Sequence, residues 1–433
     1  MMLSLLVGCG RPPPVAAPGV PPGGTAVVLK AALFPYIPDS VGDNFASLIR
    51  TLESGFEAMQ PGVDLQITID PNMDLYDYAP GGTLNTLLGN GAGAMSVVEV
   101  DTLLMGTLVS AGWVQPSGMS NPGVFTSAWE AASVGGTAYG MPTYLCTNVI
   151  YSTDSAISAA QNGTNLLGIL SGIKPGVPAL VGNYEGSWTL PGTYVDAWAD
   201  TNGASNMSAS FALPLDQKTM AFFSPVVSSC ASSTTTNPCL DGTYGSGAGT
   251  GAELAFASGN ANGFIGYTER LFYIRQAAPS APLPSVISDP IGGGSNPSMF
   301  VDALVFNRSC VGACLHAAQA YAAYMSSVSV RNIIAFSQDG PQGTLPRYLL
   351  QANQSFYSSA PASTDPMYKQ YASIVNRATP YPNTGFPNVR KELNAALIAA
   401  LKNPPPPARK VSTTAAPTPQ DNRPERGPQA TTH

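Results

Sequence analysis

Few side chains in this sequence are equipped for covalent chemistry, and Cys146 stands out among them. It sits in residues 140–151, which read G-M-P-T-Y-L-C-T-N-V-I-Y. A thiol that loses its proton is a strong nucleophile, so the chemistry implied is attack of sulfur on an electrophilic carbon. The same window also reads as a buried strand of Met141, Tyr144, Leu145, Val149 and Ile150, in which a cysteine is only a small core residue. Histidine chemistry is nearly absent: His316 and His433 are the only two, and the second is the last residue. A Ser-His-Asp triad would rest on His316 alone. A zinc site would rest on Cys310, Cys314 and His316, with no second ligand pair nearby. The other cysteines fall into local pairs, Cys230 with Cys239 and Cys310 with Cys314, which suggests an oxidising compartment; four reduced, buried thiols are the alternative. If both pairs are bridged, Cys146 is the unpaired thiol in the body of the chain.

Two acids and a tyrosine lie where a ligand is expected. Asp302 interrupts the apolar run M-F-V-D-A-L-V-F at 299–306. Burying such a carboxyl is costly without hydrogen bonds, so it marks either a strand end or a polar pocket. Asp101 ends a short strand at 96–100, and Tyr36 lies in the loop F-P-Y-I-P-D at 34–39 that follows a strand at 26–33. In open α/β sheets ligands gather outside the carboxyl ends of strands, although an Asp at such a boundary also serves as a helix cap.

These residues require a scaffold of alternating strands and helices. After the first strand, Phe45, Leu48, Ile49, Leu52, Phe56 and Met59 share one helical face, with Asp43 placed to cap it. Pro61-Gly62 stops that helix, and Val63, Leu65, Ile67 and Ile69 alternate as a second strand. Residues 102–111 predict a helix, and 264–270 (F-I-G-Y-T-E-R) a strand turning into a helix. Helices are also predicted around 315–325 and over 389–402. The chain has 433 residues, 44% of them hydrophobic, enough for a sizeable core in two or three lobes. Its 44 glycines and 40 prolines predict many tight turns, and a net charge of -7 argues against binding a phosphate backbone.

The ends read differently. Leu6-Val7-Gly8-Cys9 resembles a lipoprotein cleavage box that would make Cys9 a lipid anchor, although a basic leader and a long apolar run are missing. Residues 12–25 read as a Pro/Gly-rich tether, and 403–433 as a disordered Pro/Thr-rich tail. No run of about 20 apolar residues suited to crossing a membrane occurs.

Taken together, the segments F-P-Y-I-P-D (34–39), V-E-V-D-T-L-L (98–104), G-M-P-T-Y-L-C-T-N (140–148), G-Y-T-E-R (266–270), V-D-A-L-V (301–305) and P-R-Y-L-L (346–350) resemble thiaminase I, in family order, across about residues 27–402. That resemblance implies an α/β, two-lobed fold of the type II periplasmic-binding-protein kind, with a ligand cleft between lobes joined by crossing strands. It implies an organisation of residues 1–25 as leader and tether and 26–402 as the catalytic domain. Lobe 1 would span about 26–145 with part of 300–350, and lobe 2 about 150–298 with the C-terminal helices.

The resemblance further implies a transferase that exchanges the thiazole of thiamin for an aromatic amine, a pyridine or a thiol. Cys146 would add to the pyrimidine and hold the covalent intermediate, and Glu269 would be its general base. Asp101 and Asp302 would hold the aminopyrimidine, while Tyr36 and Tyr267 would stack on the rings. Further aromatic contacts are expected among Tyr184, Tyr194 and Tyr244, and Phe300 stands where a tyrosine is expected. No cofactor or metal, no nucleic-acid partner, a monomer and a location outside the cytoplasm are the remaining expectations. A solute-binding receptor that delivers thiamin or a related compound to an importer is the competing one; it would need neither Cys146 nor Glu269.

Overall fold

A computed structural model describes residues 26–89, 94–173, 176–231, 236–245, 249 and 251–402. The expectations for Cys9, the tether and the tail at 403–433 lie outside the described residues.

Two sheets carry the architecture. The larger has seven strands: β1 (Val27–Ala32), β2 (Val63–Thr68), β3 (Val97–Asp101), β4 (Gly140–Cys146), β9 (Ser298–Phe306), β10 (Leu350–Gln351) and β11 (Thr379–Pro380), in the order β10-β4-β9-β3-β1-β2 with β11 beside β9. The smaller has four: β5 (Asn148–Ser152), β6 (Val181–Gly182), β7 (Gly263–Tyr267) and β8 (Ser285–Ser288), in the order β8-β5-β7-β6. This is the mixed α/β, two-lobed arrangement expected.

The opening unit follows the sequence pattern closely. In β2 the buried Val63, Leu65 and Ile67 alternate with exposed Asp64 and Gln66, the period-two signature of a half-buried strand. Helix α1 (Ala46–Met59) buries Leu48, Leu52 and Phe56 on one stripe. Met59, on the same face by spacing, is 63% exposed because it sits in the last turn, where nothing covers it. Asp43 does cap the helix, though from outside the N-cap position: its carboxylate accepts from the Ser47 N–H (3.0 Å) and hydroxyl (2.6 Å).

The chain passes between sheets at Thr147, which separates β4 in the large sheet from β5 in the small one. The Thr147 hydroxyl donates to the Ser298 carbonyl (2.5 Å), tying the crossing to the start of β9. Strand β9 is buried along its whole length and pairs antiparallel with both β3 and β4. A strand enclosed on both faces reads as a continuous apolar run, and Asp302 breaks that rule.

The loop that follows β1 is held from two sides. Glu99 accepts from the Phe34 N–H (3.0 Å). The buried Arg347, from P-R-Y-L-L, donates to the Pro38 carbonyl (2.9 Å) and forms a two-pronged ion pair with Asp339 at 2.7 Å. Two segments some 300 residues apart in sequence thereby meet at the edge of the cleft.

Candidate active site

Strand register brings the thiol to its carboxylate. β5 pairs antiparallel with β7, Asn148 facing Tyr267. Cys146 and Glu269 each lie two residues beyond that pair, and the thiol donates to Glu269 Oε2 across 3.4 Å. Glu269 stands at the N-cap position of helix α3 (Arg270–Ala277), yet its side chain makes no capping bond. The carboxylate is left for other partners. Arg270 lies between two acids, 3.6 Å from Glu269 and 3.5 Å from the buried Glu253.

On the other flank, Phe300 of β9 faces Cys146 of β4, and Asp302 faces Asp101 of β3. Opposed residues of an antiparallel pair point to the same side of the sheet. Two carboxyls are therefore set side by side, Asp302 one strand and Asp101 two strands away from the thiol. Both are buried. Asp101 is engaged, accepting from the Leu103 N–H (2.9 Å) and the Tyr76 hydroxyl (3.0 Å). Asp101 is therefore a helix cap, as its boundary position allowed.

Protonation follows from this burial. Asp101 is pushed up to about 7 by loss of solvent, with its two hydrogen bonds pulling the other way. Asp302 is raised well above the carboxylate range by burial and by the charges of Asp101, Glu99 and Glu269. The Cys146 thiol is pushed up by burial, Glu269 and Asp302, although the residue keeps some solvent contact. A thiol in this setting stays protonated until a base takes the proton, and Glu269 is the base within reach.

Aromatic rings enclose the remaining space. Tyr36 is half exposed, donates to the Met73 carbonyl (3.3 Å) and stacks on Tyr76 at 6.1 Å. Tyr76 meets Trp188 at 4.2 Å. Tyr267 donates to the Trp188 carbonyl (3.2 Å) and packs edge-on against Phe300 at 5.7 Å. Phe300 in turn stacks on Tyr381, with ring centres 4.1 Å apart. Behind these rings the Tyr381 hydroxyl donates to the Gly192 carbonyl (2.9 Å) and to Asp196 (3.1 Å), and Asp196 also accepts from Asn148 (2.5 Å). Burial pushes Asp196 up to about 8.

The six residues singled out from the sequence, Tyr36, Asp101, Cys146, Tyr267, Glu269 and Asp302, are thus joined by one set of contacts. Of the further aromatic candidates, Tyr184 packs edge-on against Phe223 and Tyr194 accepts from the Asp216 N–H (2.9 Å), both within the buried core; Tyr244 is half-buried against that core. Sequence reasoning missed Tyr76, Trp188, Asp196 and Tyr381. Tyr76 lies in an irregular segment without periodicity. Asp196 belongs to helix α2 (Thr189–Asn202), whose residues 190–200 are all buried and so show no amphipathic stripe. Among the described residues no group of His, Cys, Asp and Glu is arranged to hold a metal ion.

No family model matches the chain. Thiaminase-1 of Paenibacillus thiaminolyticus is 24% identical over 370 residues, covering 81% of this chain and 82% of that protein. Among solved structures, thiaminase I from Bacillus thiaminolyticus superposes with a TM-score of 0.63 at 22% identity, over 87% of this chain and 99% of its own. Clostridium botulinum thiaminase I in complex with thiamin gives 0.64 at 17%, over 86% and 100%. The GacH receptor of Streptomyces glaucescens, solved unliganded and with acarbose, gives 0.63 at 17%, over 86% and 94%. The chain is therefore similar in sequence to thiaminase I along most of its length, and it has the two-lobed fold common to thiaminase I and the GacH receptor.

Proposed function

We propose that this protein is a thiamin-cleaving transferase of the thiaminase I type. The observation that carries the reading is the Cys146 thiol 3.4 Å from Glu269, on a sheet whose neighbouring strands set Asp101 and Asp302 side by side. Glu269 takes the thiol proton, and the sulfur adds to the aminopyrimidine ring. The bond from the methylene to the thiazolium nitrogen then breaks, and its electron pair leaves with the neutral thiazole. With an aromatic amine or thiol as acceptor, Glu269 first passes the Cys146 proton to solvent and then takes the acceptor's own as it attacks the methylene. With pyridine, which has none to lose, Glu269 keeps the Cys146 proton, and in either case the proton it holds returns to Cys146. The sulfur departs from the ring and Cys146 is restored. Asp302, kept protonated by burial, and Asp101, raised to about 7 and so partly protonated at neutral pH, donate hydrogen bonds to ring nitrogens and make the ring more electrophilic. Tyr36 and Tyr267 offer π-faces to the rings and to the thiazolium charge.

A catalytic unit over about 26–402, acting as a monomer outside the cytoplasm, completes the reading. The disulfides Cys230–Cys239 and Cys310–Cys314 support an oxidising location. No described helix is long and apolar enough to cross a membrane. A lipid anchor at Cys9 is part of the proposal and is tested by the mass of the mature N-terminus.

A receptor function is favoured by one observation, the equally good superposition on GacH. Thiamin consumption with aniline or pyridine as acceptor separates the two. The wild-type protein consumes thiamin and Cys146→Ser does not; equal consumption by both removes Cys146 as nucleophile, and none by either favours the receptor.

A further inference from the structure

A cation beside Trp188 has no role in the chemistry above. Arg390, in the early part of helix α4 (Phe386–Lys402), lies over the Trp188 ring with its guanidinium carbon 4.1 Å from the ring centre. It donates to the Ser187 hydroxyl, and its enclosed Nε has no hydrogen-bond partner among the described residues. No described carboxylate lies within 4.0 Å of it. Asp74 and Tyr76 are the titratable groups that act on its charge.

Its position relative to the reacting groups is fixed through Trp188. The Trp188 ring touches Tyr76, whose hydroxyl is bound to Asp101, and the Trp188 carbonyl is held by Tyr267. Arg390 is thus linked through Trp188 and Tyr76 to Asp101, one of the carboxyls that would hold the pyrimidine. A half-buried guanidinium without a carboxylate partner, beside a hydroxyl and the positive end of a helix, is matched to an oxyanion.

Building on the thiamin reading, we propose that Arg390 and Ser187 form a subsite for an oxyanion substituent on a reactant. That substituent is a phosphate on the alcohol arm of the thiazolium, or a sulfonate or carboxylate on the incoming aromatic amine. The subsite discriminates between charged and neutral versions of the same reactant.

The test compares kcat/KM for wild type, Arg390→Gln and Arg390→Lys with three reactant pairs: thiamin with aniline, thiamin monophosphate with aniline, and thiamin with 4-aminobenzenesulfonate. Arg390→Gln is expected to lower at least one anionic pair about tenfold more than the neutral pair, as loss of one charge-assisted hydrogen bond implies. Arg390→Lys keeps most of that preference. An effect confined to the monophosphate assigns the subsite to the leaving heterocycle, and one confined to the sulfonate assigns it to the acceptor. Equal losses on all three pairs, or a Lys variant as impaired as the Gln variant, would mean that Arg390 only packs on Trp188, and would overturn the subsite while leaving the thiamin reading intact. No turnover of any pair by the wild type overturns both.

Discussion

Asp302 is a carboxyl placed where its charge is least welcome, beside Asp101 and within the field of Glu99 and Glu269. The consequence for stability has a definite sign. A carboxyl whose folded pKa is raised contributes stability that is fully present below its unfolded value of about 3.9, and that contribution is lost as the pH rises through the folded value. For Asp101 the loss runs up to about 7. Asp302→Asn removes one of these titrations and relieves the other, so its thermal midpoint should fall less between pH 4 and 8 than that of the wild type. Thermal unfolding at a series of pH values checks this, and parallel curves would show that Asp302 does not titrate in that range. The identity of these acids was readable because an Asp in an apolar strand is conspicuous. What was not readable was that Asp101 and Asp302 are direct cross-strand partners, a fact of register between strands about 200 residues apart.

At the level of elements, β9 is the piece on which the site depends. It carries Phe300 and Asp302 and touches both β3, with Asp101, and β4, with Cys146. Leu304, on the same strand, is fully buried. Leu304→Ala should cost about 3 kcal/mol by lost transfer energy and the cavity left behind, measurable by denaturant unfolding. A loss below about 1 kcal/mol would mean that β9 is not packed as described. The β1-α1-β2 opening was legible from periodicity alone, and so was the strand at 299–306. Helix α2 was not, since residues 190–200 are buried all round and give no stripe to read. Its contribution to the site, Asp196 holding Tyr381 behind Phe300, became visible only in three dimensions.

Across the whole molecule, the cleft is bounded by contacts from both sides. Tyr76, from the segment between β2 and β3, meets Trp188, which precedes helix α2. Helix α4 spans the same boundary: Asn388 accepts from Tyr78, and Arg390 lies on Trp188. Trp188→Ala removes the ring that closes this edge and should raise KM for thiamin about tenfold, with a smaller change in kcat, since ring stacking contributes on the order of 1 kcal/mol. Steady-state kinetics reads the split, and a loss confined to kcat would place Trp188 in the chemical step instead. That two lobes would enclose the site was implied by the family resemblance of the sequence segments. The rim residues were not, because they touch only once both lobes are folded.

The central claim is that Cys146 becomes covalently attached to the pyrimidine half of thiamin. Intact-protein and peptide mass spectrometry after incubation with thiamin in the absence of acceptor, quenched in acid, tests it most directly. The mass gain of one aminopyrimidinylmethyl group, mapped to the peptide containing Cys146 and absent from Cys146→Ser, is the expected result. Thiamin consumed while Cys146 stays unmodified, or an adduct on another residue, would contradict the account.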